Sequence, residues 1–499
     1  MNHILHIAAK DLAALRPQAL LLVLLQFTYS ALNFTPEQPG MHSITANLGG
    51  MVLLLAHAYF ISCLVHAEAI PGHRQYWLTR PISRRDLFIA KLLVAFAVIH
   101  IPLLVSDCII LAGHELSPVP YLPGLLWRQL LYLLTITVPL LAIAAATANL
   151  AQFAAAMVFV ILAVVWLPYM LARPIMDANW GGFYWIKDQL MVTLAATAGA
   201  LLLILLYAHR RVAASRIILV IATILIPTCQ ALAPFPLAFR LQRNLGSAPP
   251  ADLHATFDPA AQQSFENTPR PRVYIQNALL VPFRFDRPLK GLDLFLDNVE
   301  GILRTASGAT LRLHSFNPQP LDPTSPGHPL HLPIERSFLN LHRTESVSLD
   351  LTLYLTSFGR AHKYTMPVRG TGQPVGELGH CRTHTDPGMV FIVCSTPIQT
   401  PPRATVQLVH PVTGVRTIRD MRLGEFVDYS PLPAHRFTFL PVSNSFNYFS
   451  TMHLPGNNLI DKDFQHLLDS NAEFLLREPQ SHFTVTLSVP PTPLKNFVR

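Results

Sequence analysis

Three side chains that can hold or pass a proton interrupt the most apolar stretches of this chain: His57, His100 and Asp107. A charge or an imidazole is expensive in hydrocarbon and turns toward other protein groups, so each marks a packed or a functional position. Two readings stand for the histidine pair. As ligands from facing helices, His57 and His100 would hold a haem between them. As ordinary polar groups they would hydrogen-bond neighbouring helices or line a polar path, and a single pair without a recurring spacing favours this second reading.

Cysteine chemistry is sparse. Cys63, Cys108 and Cys229 fall in or beside apolar runs, where a thiol behaves as a small hydrophobe. Cys381 and Cys394 stand apart in a polar region, and in an oxidising compartment they would close a hairpin-sized disulfide loop. His380, Cys381 and His384 spell H-C-x-x-H, but no second ligand pair follows at structural-zinc spacing, so no metal site is expected. The chain has no G-x-x-x-x-G-K-[ST] loop to cradle phosphates, no G-x-S-x-G elbow, no H-E-x-x-H pair and no G-x-G-x-x-G turn. No catalytic residue is nominated, and no cofactor.

The elements that position these residues follow from composition. Of 499 residues 51% are hydrophobic and only 13% charged, too apolar for a soluble enzyme of this length. The apolar excess lies ahead of about Arg240. Up to Phe239 there are 13 Lys and Arg against 8 Asp and Glu, leaving 24 and 21 of the chain's 37 and 29 for the rest. No basic stripe interleaved with aromatics appears, which argues against a nucleic-acid partner. Crossing roughly 30 Å of hydrocarbon takes about 20 apolar helical residues. Seven segments meet that length: 18–34, 48–67, 87–111, 125–147, 151–172, 190–209 and 217–235. The first is short and carries Gln26; the last carries Pro227. The stretch 140–167 lacks the polar face that a soluble bundle helix requires. The N-terminus is too long and polar for a cleaved signal peptide, so the first span is expected to be a retained anchor.

Lys and Arg in short loops set orientation, because cytoplasmic loops retain them. Lys10, Arg16, Arg74, Arg80, Arg84, Arg85, Lys91, Arg210, Arg211 and Arg216 fall on one side, and Arg128, Arg173 and Lys187 on the other. This puts the N-terminus inside, and an odd number of spans delivers everything after Phe235 outside. The loop after the second span, HAEAIPGHRQYWLTRPISRRDLFIAKLL (66–93), has an acid, a Pro-Gly turn, interfacial aromatics and a basic cluster. It reads as an interfacial helix on the cytoplasmic face. Ser83, three residues before Asp86, offers a helix N-cap for the third span.

In this loop Glu68, Gly72, Trp77, Leu78, Arg80, Pro81, Ile82, Ser83, Arg84 and Lys91 form a pattern that resembles the permease subunits of ABC-2 type transporters. Lys10, Asp11, Leu12, Arg16 and Pro17 resemble that family's opening. The likeness covers residues 1 to about 235. It implies a permease half in the bacterial inner membrane that pairs with a second permease, identical or not, and with a cytoplasmic ATPase subunit that binds the ATP. It further implies that Glu68, Gly72, Trp77, Arg80, Pro81, Ser83, Arg84, Arg85 and Lys91 form the ATPase-coupling loop, with Arg85 included through its place in it. A seventh span and a large C-terminal domain depart from the family pattern and leave the substrate open.

Beyond Arg272, short runs of alternating or β-branched residues recur between turn residues: VYIQNALLVPFRF, LDLFL, VSLDLTLYLTS, MVFIVCST, ATVQLVH, RFTFLPV and FTVTLSV. The expected architecture is therefore a polytopic α-helical membrane domain (1–239), a linker (240–271) and an extracytoplasmic all-β, sandwich-like domain (272–499), with two modules meeting near 370. The leading functional expectation is an ATP-driven transport subunit, an exporter, whose outer domain meets a ligand or an envelope protein. The rival is a membrane-anchored sensor or binding protein. An intramembrane enzyme is a third class, for which the sequence offers no constellation.

Overall fold

Hydrocarbon offers no hydrogen-bond partners, so apolar runs of this length close their backbone bonds internally as helices. The computed structural model describes residues 2–33, 41–67, 83–113, 117–172, 183–248, 253–261, 278–286, 293–315, 319–321, 328–370, 372–386, 389–398, 403–412, 414, 416–420, 429, 437–449 and 468–497. Its N-terminal half contains α1 (Asn2–Ala14), α2 (Arg16–Asn33), α3 (Met41–His66), α4 (Arg84–Ala95), α5 (Ile101–Gly113), α6 (Leu122–Tyr132), α7 (Val138–Ala146), α8 (Leu150–Ala172), α9 (Tyr184–Tyr207), α10 (Val212–Leu232) and α11 (Phe235–Leu245). Six helical stretches among the described residues are long and apolar enough to cross a membrane. The expected first span reaches that standard only when α1 and α2, bent by 79°, are taken as one. The chain is thus a multi-pass membrane protein in its first half.

Two spans are continuous through a widened turn. α4 runs into α5 through a π-helical turn, Phe96–His100, and α6 into α7 through another, Leu133–Thr137. Each precedes a proline by one residue, Pro102 and Pro139. Proline has no N–H for the carbonyl four residues back, so the turn before it loosens. The helix ends are closed by distant side chains. His66 Nε2 lies 3.1 Å from the Ala144 carbonyl and the Arg216 side chain donates to the Ala146 carbonyl at 3.2 Å, together covering the end of α7. Asn149 Oδ1 accepts from the Gln152 amide, and the Gln152 side chain accepts from the Ala148 amide, a reciprocal cap that starts α8. At the α7–α9 crossing a Cβ on Gly199 would lie 2.9 Å from Val138 Cγ1, so the close approach requires glycine.

The second half is rich in antiparallel sheet, and its register shows an organisation finer than two modules in tandem. The strands are β1 (Ala255–Phe257), β2 (Ala278–Phe285), β3 (Asp293–Thr305), β4 (Thr310–Ser315), β5 (Gln319–Leu321), β6 (His328–Pro333), β7 (Ser346–Phe358), β8 (His362–Pro367), β9 (Gln373–Pro374), β10 (His380–Asp386), β11 (Met389–Ile398), β12 (Arg403–Val409), β13 (Arg416–Asp420), β14 (Phe437–Phe449), β15 (Asn471–Arg477) and β16 (Pro479–Pro493), with a short helix α12 (Arg336–His342) before β7. Sheets β1-β2-β6 and β16-β7-β3-β4 share one apolar core that includes Phe283, Leu330, Leu351, Leu355 and Leu487. Sheets β14-β11-β10-β9 and β13-β12-β15-β8 share a second, around Val375, Cys381, Ile392, Val406 and Phe474. Because β16 pairs with β7, the last strand completes the first module, and the second is an insertion between them. Its neck is the ribbon β7/β16 passing into β8/β15, tied by the Gly359 amide to the Glu478 carbonyl at 2.9 Å.

Of the segment 240–271 expected as a linker, residues 240–245 complete α11 and β1 (Ala255–Phe257) pairs with β2 of the first module. The Cys381–Cys394 pair is directly opposed on β10 and β11, both side chains are fully buried, and the sulfurs are bonded. Cys381 is therefore no metal ligand. In denaturant without reductant, three of the five cysteines, Cys63, Cys108 and Cys229, should react with a thiol reagent, and all five after reduction. Replacing both Cys381 and Cys394 by alanine should cost the inserted module about 3 kcal/mol, read from urea unfolding of the full chain.

Candidate functional site

Polar residues that cannot reach water must find one another, and they do so at three levels of the molecule. At the first, Lys91 Nζ donates to Asp11 Oδ2 at 2.7 Å, with side-chain exposures of 1% and 4%. The pair fastens α1 to α4, and α1 is the limb that turns away from α2. Ser83 takes the N-cap of α4, its hydroxyl accepting from the Asp86 amide at 3.0 Å. Arg85 is exposed and Arg84 half-buried on the same turn. Glu68, Gly72, Trp77, Arg80 and Pro81 lie outside the described residues, as does the interfacial helix expected there.

The second level lies within the bundle and brings His57, His100 and Asp107 together with Gln26 and Arg128, and with Tyr132, Gln129 and Thr137, which no sequence signal marked. The Gln26 amide nitrogen sits 3.2 Å from the Ile99 carbonyl, which only accepts, and 2.9 Å from His57 Nε2. Nε2 of His57 therefore accepts, and its Nδ1–H donates to the Tyr132 hydroxyl at 2.7 Å. The Gln129 amide nitrogen donates to Asp107 Oδ2 at 3.2 Å, so its oxygen accepts from His100 Nδ1–H at 3.1 Å. His100 Nε2 then accepts from the Thr137 hydroxyl at 3.1 Å. Arg128 closes the chain on Asp107 Oδ1 at 3.0 Å. His100 and Thr137 end the two π-helical turns, so each loosened turn presents one partner of this bond. Tyr132 stands edge-on to both imidazoles, with ring centroids 5.6 Å and 5.9 Å away. All four imidazole nitrogens are engaged by protein groups, which leaves none with a lone pair for haem iron. Ser30 donates to the Gln26 carbonyl at 3.0 Å and accepts from the Ser106 hydroxyl, extending the network along α2.

The third level is the seam between helices and sheet. Side chains alternate along β7. Val347, Leu349, Leu351, Leu353 and Leu355 enter the first β core, while the opposite face changes along its length from Ser348, Asp350 and Thr352 to Tyr354, Thr356 and Phe358. That bulky end is covered by Phe183 and by Phe235, Ala238 and Phe239 of α11. Within the seam, a bulge in β3 between Leu296 and Asn298 aims Asp297 at Thr356 and Tyr429, whose hydroxyls donate to it at 2.6 Å and 2.7 Å. His482 Nδ1 is 2.8 Å from Thr356 Oγ1, and its Nε2 is 3.3 Å from the Gln242 amide nitrogen. Gln242 accepts from Trp185 Nε1 at 2.9 Å and donates to the Tyr429 carbonyl at 2.8 Å. An unbroken chain of polar contacts thus runs from Trp185 in the first turn of α9, through α11, to Asp297 in β3. Burial pushes the Asp297 carboxyl up to about 7 against its two hydroxyl donors, and burial pushes the His482 imidazole down to about 4.

No family model, curated protein or solved structure matches this chain. The fold and these contacts define a multi-pass helical membrane protein carrying an antiparallel β domain. None of the three levels contains a phosphate cradle or an exposed nucleophile and base pair among the described residues. What they do chemically is lock helices and domains in register through charge and hydrogen bonding.

Removing one member of the α1–α4 pair, by Asp11→Asn or Lys91→Met, should destabilise the detergent-solubilised protein by about 3–5 kcal/mol, and the double variant by much less, since neither buried charge is then uncompensated. Thermal unfolding followed by near-UV circular dichroism measures both. At the seam the two titrations oppose. Asp297 binds its proton more tightly folded than unfolded, so its contribution is full below about 3.8 and is lost as pH rises through about 7. His482 binds its proton less tightly folded, so its contribution is present above about 6.5 and is lost as pH falls through about 4. Asp297→Asn should therefore gain stability relative to the unsubstituted protein between pH 4 and 7, and His482→Gln should gain as pH falls over that range.

Proposed function

We propose that this chain is the membrane-spanning permease subunit of an ATP-driven transporter of the ABC-2 type, working as an exporter with a second permease subunit and a separate cytoplasmic ATPase. One observation carries the reading. The N-terminal stretch and the Ser83–Lys91 stretch, which resemble that family independently, meet through the buried Asp11–Lys91 pair at one end of the bundle. In this reading that end lies opposite the β domain, which is supported by α10 leading through α11 into β1 while α4 begins where α7 ends. With the N-terminus cytoplasmic, the exposed Arg85 and half-buried Arg84 face the compartment that holds ATP, and the β domain with its disulfide is extracytoplasmic.

In this reading the ATPase pushes on α1 and on the loop ahead of Ser83. The Asp11–Lys91 pair turns that push into movement of α4, and the π-helical turns give α4–α5 and α6–α7 a place to flex. A short pair between buried charges resists separation better than apolar contacts, so α1 and α4 move as one. The rival reading, a membrane-anchored sensor, is favoured by the continuous seam from Trp185 to Asp297, which would carry a signal from the β domain into α9.

Copurification separates them. The full chain, isolated in mild detergent from cells that also express a P-loop ATPase encoded beside it, should retain that ATPase. Arg84→Glu with Arg85→Glu should reduce the retained ATPase about tenfold, a change on the order of 1.4 kcal/mol, while insertion and the disulfide are kept. Undiminished copurification of the double variant would remove the coupling role, and absence of any ATPase would leave the sensor.

A further inference from the structure

Helix α11 has three faces that belong to three different environments. At about 100° per residue, Phe235, Ala238, Phe239 and Gln242 fall on one side, and all four are buried against the β domain and the start of α9. Leu237, Leu241 and Leu245 fall on a second side, four residues apart, and are 51%, 47% and 58% exposed. Arg240 and Arg243 lie on the third, both exposed, roughly 120° from the leucine stripe. A soluble surface helix has no reason to present three leucines in register to water.

Depth is fixed by the chain itself. α10 ends at Leu232, and only Ala233 and Pro234 separate it from α11, so α11 begins at the bilayer surface. Gln242 of α11 is bonded to Trp185 in the first turn of α9, where Tyr184 and Lys187 also stand, the lysine 5.7 Å over the tyrosine ring. Trp, Tyr and Lys at the start of a span mark the headgroup level. A short helix at this level, with leucines on one flank and arginines on the other, has the composition of an in-plane interfacial helix.

We infer that α11 lies in the plane of the membrane, with Leu237, Leu241 and Leu245 among the acyl chains and Arg240 and Arg243 on the phosphates of anionic phospholipids. The helix joins sheet and bilayer, holding the β domain at a fixed height and tilt over the bundle. This does not depend on the transport reading; it needs only that α10 spans the membrane.

The test uses the full chain, with Cys63, Cys108 and Cys229 replaced by serine, reconstituted in vesicles of phosphatidylcholine with or without phosphatidylglycerol. Nitroxide probes are attached singly through Leu237→Cys, Leu241→Cys, Arg240→Cys and Arg243→Cys, each at an exposed position. The ratio of collision rates with oxygen and with a water-soluble nickel chelate should be at least about threefold higher for the two leucine positions than for the two arginine positions. Phosphatidylglycerol should raise the ratio at position 241, and Arg240→Gln with Arg243→Gln should erase that rise. Nickel-dominated collisions at the leucine positions would overturn the in-plane placement. A leucine and arginine contrast with no response to phosphatidylglycerol would overturn the anionic-lipid contact. Resistance of the β domain to limited proteolysis, equal in each variant and in the unsubstituted protein, confirms that it is folded in all of them.

Discussion

Every polar group in the bundle is answerable to one constraint: no water is available inside hydrocarbon to replace a missing partner. The helices are its first consequence and the buried networks its second. Gln26, His57, His100, Asp107, Gln129 and Thr137 are each at most 6% exposed, and their mutual bonds form a set in which the carbonyl of Ile99 and the carboxylate of Asp107 dictate the direction of the rest. Apolar packing against lipid supplies little preference for one helix arrangement over another, because tails and side chains are equally apolar. The arrangement of α2, α3, α4–α5 and α6–α7 is therefore specified mainly by these bonds and by close approaches such as Gly199 on Val138.

The same constraint explains where the proline-loosened turns fall. A proline in a span leaves a carbonyl without its N–H, which is tolerated where the bundle interior offers alternatives. His100 and Thr137 end these turns and bond to each other across the interface. The seam with the β domain repeats the pattern in a different solvent. Asp297 is buried between Thr356 and Tyr429 and His482 between Thr356 and Gln242, so the helices and sheet share polar groups neither could satisfy alone.

The sequence made the membrane half legible because its signal is local. A run such as 125–147 declares itself by length and composition, and the observed helical stretch 119–146 nearly coincides with it. Ser83 as the cap of α4 was legible for the same reason, since cap and acceptor are three residues apart. The seven strand-like runs each overlap an observed strand, namely β2, β3, β7, β11, β12, β14 and β16. What stayed hidden depends on separation. Asp11 and Lys91 are 80 residues apart, and nothing in either neighbourhood announces a partner. His57, His100 and Asp107 were visible as polar interruptions, but Tyr132 and Gln129, which connect them, look like ordinary members of an interfacial or polar-tipped helix. The inserted second module was hidden because its proof is the pairing of β16 with β7 across more than a hundred residues. The residues 240–245 read as linker because their helical pattern is a single turn and a half beyond the expected span, too short for periodicity to register.

The three levels of polar contact also set how motion in one part of the molecule reaches another. Apolar contacts set little preference between helix arrangements, whereas breaking a buried charge pair costs about 3–5 kcal/mol and each buried hydrogen bond about 1 kcal/mol. Asp11–Lys91 ties the amino-terminal limb to α4, and the His100–Thr137 bond ties α4–α5 to α6–α7. Trp185–Gln242–His482 ties α9 and α11 to the sheet. α8 and α10 pack on each other and take no part in these networks apart from the Arg216 contact at the far end of α7. The polar ties thus fall in two groups, one joining α1 through α4–α5 to α6–α7 and one joining α9 and α11 to the sheet, and the groups meet where α9 packs on α7 and where α3 and α6 touch β14. Which helices are held in register follows from which interfaces contain polar bonds that cannot be surrendered to solvent.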